Sequence, residues 1–192
     1  MPNPRFMQKA DQWKNPEAPE IAKQQAQRRT SNILTPADDY FFLGDDLGRE
    51  AHESVVREYG TENAFVTKGV FYDKDDRLVK GSRPGYVIAV NEFLNSLGKG
   101  LRTATSRDVQ RAIDLGKINQ SRIYEDLGLV LYSKSGNNEY LAINLARQIK
   151  NRQELRFPTL IHLTGLELMV DNNAPNGMAF ELGNNSQVIY AP

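Results

Sequence analysis

The sequence contains no cysteine, which excludes disulfide frameworks, thiolate nucleophiles and cysteine-ligated zinc sites. It also lacks any run of about 18 apolar residues, the length that a membrane-spanning helix needs. The first residues are polar and proline-containing and do not form the apolar segment of a secretory signal. We therefore expect a cytoplasmic protein without a membrane segment.

A net charge is absent as well, because 24 Lys and Arg residues balance 24 Asp and Glu residues in a chain of 192. Without a net field, the protein cannot attract a polyanion from a distance. The charges are unevenly distributed, however. Residues 99–156 carry eleven basic and six acidic side chains, whereas residues 36–62 carry two basic and eight acidic ones. This pattern is typical either of a local anion contact or of internal charge matching.

Signals of catalysis are scarce. The two histidines, His52 and His162, lack the spacing of a helical zinc pair, and neither a nucleophile-elbow motif nor a phosphate-binding loop is present. We expect His52 at the surface of a helix and His162 in an apolar strand. The chain is therefore interpreted as non-enzymatic, and no cofactor is predicted.

A group of carboxylates in residues 38–53 provides the one candidate site for a hard cation. Several converging carboxylates could hold Mg²⁺ or Ca²⁺ through oxygen ligands. The same acids stand near a helix start, where negative charge is favourable, and we expect this second role, so no metal site is predicted. The carboxylates in question are Asp38, Asp39, Asp45, Asp46, Glu50 and Glu53.

Apolar spacing and glycine stops predict four helices. They cover residues 47–59, 86–97, 105–115 and 120–127, and each is followed directly by a glycine. Alternating apolar residues and turn-forming pairs predict three β-hairpins. The paired strands are 64–72 with 77–80, 129–133 with 139–145, and 178–182 with 187–190. Residues 160–170 are predicted to form a further strand, interrupted at Gly165. The predicted fold class is α+β with a β-rich C-terminus.

Composition divides the chain into three parts. Residues 1–34 form a polar arm with four early prolines, which we expect to be partly disordered. Residues 35–156 are predicted to form an α+β domain, and residues 157–192 a β-rich C-terminal extension.

The order of predicted elements in residues 86–145 is helix, helix, turn, helix and hairpin, which is the order of a winged helix. In helix-turn-helix motifs the second helix of the pair lies in the major groove, while neighbouring Lys and Arg side chains bind phosphates. Two helices joined by a glycine turn also occur as ordinary core packing, so the pattern indicates architecture more strongly than activity. The predicted nucleic-acid-binding residues are Arg107, Arg111, Asn119, Gln120, Ser121, Arg122 and Lys134.

The leading hypothesis is a non-enzymatic binding module, namely a nucleic-acid-binding regulatory or accessory protein. The alternative is a structural or assembly subunit of a multi-protein or viral particle, in which the N-terminal arm docks into other protein subunits. A divalent-metal enzyme built on the carboxylates of residues 38–53 is the least favoured hypothesis.

Overall fold

The computed structural model describes residues 45–118, 126–131, 139–150, 158–184, 186 and 188–190. These residues form four α-helices and seven strands, which confirms the α+β class. In chain order they are α1 Asp45–Tyr59, β1 Phe71–Asp73, β2 Leu78–Lys80, α2 Pro84–Ser96, α3 Ser106–Asp114, β3 Gly128–Leu131, α4 Glu139–Lys150, β4 Thr159–His162, β5 Leu166–Val170, β6 Met178–Leu182 and β7 Val188–Tyr190.

Helix α1 forms because its apolar residues recur at four-residue spacing and so lie on one face. Ala51 and Val55 of this face are buried. Gly60 ends the helix with φ +74°, a left-handed conformation that suits glycine. The predicted helix 47–59 is confirmed, and it begins two residues earlier, at Asp45.

Strands β1 and β2 form the first predicted hairpin, with antiparallel pairing. The first strand is shorter than predicted because residues 64–69 form turns. Asn63 Oδ1 accepts the backbone N–H of Phe65 at 2.9 Å and that of Val66 at 3.0 Å. This side chain thereby competes with strand pairing for the backbone donors.

Two glycines close the base of this hairpin. Gly69 and Gly81 have φ values of +83° and +85°. A Cβ at Gly81 would lie 2.2 Å from the carbonyl oxygen of Gly69. The backbones can therefore approach this closely only because residue 81 has no side chain.

Helix α2 contributes to both hydrophobic clusters that the described residues form, and it confirms the predicted helix 86–97. Val90 and Leu94 belong to the first cluster, which joins α2 to α1 and to residues beside the hairpin. Ile88 belongs to the second cluster, which joins α2 to α4 and the later strands. The other buried members of the second cluster are Leu131, Leu145, Ile149, Ile161, Leu163, Leu166, Phe180 and Leu182.

The later strands form two antiparallel sheets, one in the order β3-β4-β7 and one of β5 and β6. A 3-10 turn at Leu163–Gly165 separates β4 from β5, so the predicted interruption at Gly165 is confirmed. The predicted hairpin of residues 178–182 and 187–190 is wrong, because β6 pairs with β5 while β7 pairs with β4. β6 and β7, which follow each other along the chain, therefore belong to different sheets.

The predicted strand over residues 139–145 is also wrong, because this segment is the first half of helix α4. Leu141, Leu145 and Ile149 fit both a two-residue and a four-residue repeat, but the exposed Arg147 breaks the two-residue repeat. Strand β3 pairs with β4 instead. The wing of the predicted winged helix is therefore not formed by these residues.

Of the remaining predicted segments, some are confirmed by the structure and others lie outside the residues that it describes. The predicted helix 105–115 is confirmed as α3, with Thr105 and Leu115 as its capping residues. Asp126 and Leu127 lie outside any helix, and the rest of the predicted helix 120–127 lies outside the described residues, as does the predicted arm of residues 1–34. The β-rich C-terminus is confirmed by β4 to β7.

Candidate nucleic-acid interface

Helix α3 carries two of the predicted site residues on its outward face. Arg107 and Arg111 are both exposed and stand one helical turn apart. The same face holds Gln110 and Asp114, whose side chains are hydrogen-bonded, Nε2 to Oδ1, at 2.9 Å. The buried side of the helix is formed by Asp108 and Ala112. The side chains of Arg107 and Arg111 are therefore both accessible to solvent.

A capping box begins the helix. The hydroxyl oxygen of Thr105 accepts the backbone N–H of Asp108 at 3.3 Å, and Asp108 Oδ2 accepts the backbone N–H of Thr105 at 2.7 Å. These reciprocal bonds satisfy two backbone donors that a helix start would otherwise leave unpaired. The first turn of α3 is therefore held in place by its own side chains.

Asp108 also anchors the helix to the preceding loop through Arg102. The carboxylate is 1% exposed, and Arg102 binds it at both oxygens, Nη1 to Oδ2 at 2.5 Å and Nη2 to Oδ1 at 3.0 Å. A bidentate pair of this kind fixes orientation as well as charge. The negative charge of Asp108 is therefore matched internally and does not oppose an anion at the outward face.

Asn91 connects the same loop to the rest of the fold. Its Oδ1 accepts the backbone N–H of Thr103 at 3.0 Å and the Thr103 hydroxyl at 3.2 Å. Its Nδ2 donates to the carbonyl oxygen of Thr164 at 3.2 Å. One buried amide thus joins α2, the loop before α3 and the 3-10 turn after β4.

His162 of β4 pairs with Gly128 at the start of β3. The side chain is 1% exposed, which confirms its predicted place in an apolar strand. Burial lowers the pKa of the imidazole, whereas a hydrogen bond to the backbone of Leu127 and the carboxylate of Asp108 act to raise it. The charges of Arg107 and Arg102 lower the pKa further. The ring is therefore neutral at pH 7.

The described residues on either side of the predicted base-contacting residues, 119–122, are hydrogen-bonded to the rest of the fold. After α3, Lys117 N–H donates to the carbonyl oxygen of Ala112 at 2.9 Å. On the far side, Leu163 N–H donates to the carbonyl oxygen of Leu127 at 3.1 Å, and Ser82 Oγ lies 2.9 Å from Asp126 Oδ2. The predicted site residues Asn119, Gln120, Ser121, Arg122 and Lys134 lie outside the described residues.

The sequence predicts Arg107 and Arg111 on a helix with Thr105 or Ser106 as its cap, and the structure has Thr105 as the cap, but the roles of Arg102 and Asp108 were missed. Thr105 and Asp108 have the spacing of a capping box, which would have indicated their role. Nothing local indicates the bonds of Asn91 or His162, because their partners are remote in sequence.

The carboxylates considered as metal ligands do not converge in the described residues. Asp46 is exposed and pairs with Arg49 at 3.0 Å, and Glu50 and Glu53 are exposed on the same helix. Asp38 and Asp39 lie outside the described residues, as does the side chain of Asp45. Within the part of the chain that the structure covers, no group of three or more His, Asp or Glu side chains could hold a metal ion.

His52 is less exposed than predicted. It is half-buried on α1, and its Nδ1 lies 3.1 Å from the hydroxyl oxygen of buried Tyr86. Burial lowers the pKa of the imidazole, and neighbouring Glu53 raises it. The side chain therefore joins α1 to α2 instead of facing solvent alone.

Comparisons with protein-family models, with curated proteins and with solved structures find no match to this chain. None of the helices in the described ranges is long and apolar enough to cross a membrane. The functional argument therefore depends on the arrangement of the residues themselves.

Proposed function

We propose that this protein is a non-enzymatic nucleic-acid-binding module that contacts phosphates through Arg107 and Arg111 of α3. The observation that carries the proposal is the pair of exposed guanidinium groups, one turn apart, on a helix with a buried anchor. Arginine suits this task because its planar fork of donors matches phosphate oxygens. Asn119, Gln120, Ser121, Arg122 and Lys134 are proposed to add further contacts.

The anchor of α3 matters for affinity. Arg102, Thr105 and Asp108 already hold the first turn through their mutual hydrogen bonds before any ligand arrives. A surface that is ordered in advance loses less conformational entropy when it binds. Because the first turn of α3 is ordered in advance, Arg107 and Arg111 can bind phosphates more tightly than two arginines on a flexible segment would.

The charge near α3 favours an anionic partner. Outside the internal Arg102–Asp108 pair, residues 99–118 carry four exposed basic side chains and one exposed acid. These are Lys99, Arg107, Arg111, Lys117 and Asp114. Since the whole chain has no net charge, the attraction is local, and binding is expected to be modest and sensitive to salt.

A fluorescence anisotropy titration tests the proposal. The probes are labelled random-sequence duplex DNA, single-stranded DNA and RNA, each at roughly 50 mM salt, where phosphate contacts are strong. The wild-type protein should bind at least one probe at micromolar concentration. The double variant Arg107→Ala, Arg111→Ala should bind about 30-fold more weakly, since each of the two lost phosphate contacts costs on the order of 1 kcal/mol.

The matched control is Arg49→Ala, Arg57→Ala, which removes the same charge from exposed positions on α1. This variant should keep the wild-type affinity. Equal weakening in both double variants would mean that net charge, and not the α3 face, determines binding. Absence of binding to all three probes would refute the proposed function.

A further inference from the structure

Residues 171–177 form the turn that joins β5 to β6, and this turn contains the single Asn-Gly pair of the sequence, Asn176 and Gly177. Asn176 is exposed. Asn-Gly pairs suit turns because both residues tolerate a left-handed backbone. They are also the pairs in which an asparagine side chain reacts most readily with the following backbone nitrogen, because glycine has no side chain to obstruct the approach. The turn therefore carries the residues needed for deamidation.

Backbone hydrogen bonds within the turn control this approach. Asp171 N–H donates to the carbonyl oxygen of Gly177 at 2.9 Å, and Ala174 N–H donates to the carbonyl oxygen of Asp171 at 2.9 Å. Gly177, with φ +70°, donates its own N–H to the carbonyl oxygen of Ala174 at 2.9 Å. The nitrogen that would attack the Asn176 side chain is therefore engaged while the turn is closed.

Both ends of the turn are attached to the rest of the fold. At its start, the Asp171 carboxylate accepts the backbone N–H of Asn173 at 2.9 Å and the hydroxyl of Tyr140 on α4 at 2.5 Å. At its end, Met178 is buried in the first hydrophobic cluster, and Asn63 Nδ2 lies 3.6 Å from its sulfur. A change in the backbone length of the turn would therefore disturb both attachments.

We propose that Asn176 is a deamidation site of the folded protein, and that opening of the turn controls its rate. When the hydrogen bond to Ala174 opens, the Gly177 nitrogen loses its proton to water and attacks Asn176 Cγ. A bond forms between this nitrogen and Cγ, the bond from Cγ to the amide nitrogen breaks, and the amide group takes up a proton and leaves as ammonia. Water then opens the cyclic imide at either carbonyl, which gives aspartate or isoaspartate. This inference is independent of the proposed nucleic-acid binding.

The two products have different effects on the turn. If water opens the imide at the side-chain carbonyl, residue 176 becomes an aspartate with a normal backbone. If water opens it at the backbone carbonyl, the main chain passes through Cβ and Cγ and becomes longer by a carbon atom. The longer chain moves Gly177 relative to Asp171 and Ala174, so we expect isoaspartate to break the hydrogen bonds of the turn and aspartate to leave them intact.

Mass spectrometry of the aged protein tests the site and its control. The full-length wild-type protein is incubated at mildly alkaline pH, once folded and once in concentrated guanidinium chloride, and deamidation is located by peptide fragmentation. In the folded protein, Asn176 should react faster than the exposed Asn172 and Asn173 of the same turn. It should react at least about tenfold more slowly than in the unfolded chain, because the turn must open first. No reaction at Asn176 in the folded protein, or equal rates in the two states, would overturn the proposal.

Two variants test the assignment and its consequence. Asn176→Gln should abolish the reaction in this peptide, since its longer side chain closes a ring far less readily, and continued deamidation there would place the site at another asparagine. Asn176→Asp carries the charge of the product on a normal backbone and is the matched control for isoaspartate. The isoaspartate fraction of aged wild-type protein should unfold at a thermal midpoint about 3 °C below that of Asn176→Asp. Equal midpoints would contradict the expected opening of the turn.

Discussion

The region of α1 and the β1–β2 hairpin differs from the junction around α3 in what holds it together. The first region depends on a cluster of apolar side chains, including Ala51 and Val55, and on the close backbone approach at Gly69 and Gly81. The junction depends on buried hydrogen bonds and on the Arg102–Asp108 ion pair. Removing a charge should therefore cost more at the junction, where Asp108 is buried, than in the first region, where the Lys80–Asp73 pair is more exposed.

The largest effect is expected from Gly81→Ala, which disturbs the base of the β1–β2 hairpin. The new Cβ would meet the Gly69 carbonyl oxygen at 2.2 Å, and φ at this position is +85°. We expect a loss of about 3 kcal/mol or more in the free energy of unfolding, measured by urea denaturation at pH 7.

Gly60→Ala is the control, since its φ is +74° but no atom lies within 4 Å of the added Cβ. It should cost only about 1 kcal/mol, the conformational cost by itself. Equal losses in the two variants would show that the contact with Gly69 is unimportant.

A somewhat smaller loss of stability is expected from Asp108→Asn, which removes the Arg102–Asp108 ion pair at the junction. Arg102 would keep its charge in a mostly buried site without a carboxylate, and the capping box would be weakened. We expect a loss of about 2–3 kcal/mol in the free energy of unfolding, again by urea denaturation.

The double variant Arg102→Met, Asp108→Asn sharpens this prediction by removing the unmatched charge. It should recover part of the lost stability, because the ion pair is broken in both cases but only the single variant leaves a buried guanidinium unpaired. Identical stabilities of the single and double variants would contradict an important role for the pair.

The smallest effect is a gain, expected from Arg77→Gly in the hairpin turn. Arg77 has φ +53°, in the left-handed region that disfavours residues with a Cβ. Its ion pair with Asp46 is long, 4.0 Å, and exposed, so its loss costs little. We expect a gain of about 0.5–1 kcal/mol, measured as a higher thermal midpoint. A lower midpoint would show that the arginine side chain stabilises the turn.

The same comparison explains which parts of the fold the sequence predicts. Helices α1, α2 and α3 depend on local spacing and on glycine stops, and their predicted ranges agree with the structure within a few residues. The β1–β2 hairpin is local as well. In contrast, the partners of β3, β6 and β7 are chosen by packing between distant segments, and the predicted pairings for these strands are wrong.

The candidate site follows the same rule. The amphipathic pattern of α3 places Arg107 and Arg111 on an exposed face, and the structure agrees. Beneath them, Asn91 joins α2 to the loop before α3 and to the 3-10 turn after β4. Neither spacing nor composition specifies these contacts, because they arise only when the elements pack.

The dependence of affinity on salt tests the central claim most directly, since it counts phosphate contacts. The logarithm of the association constant falls linearly with the logarithm of the salt concentration, by about 0.9 per contact on duplex DNA. Removing Arg107 and Arg111 together should therefore reduce the slope by about 2, while Arg49→Ala, Arg57→Ala leaves it unchanged. The same slope for the wild type and for the Arg107→Ala, Arg111→Ala variant would contradict phosphate binding by α3.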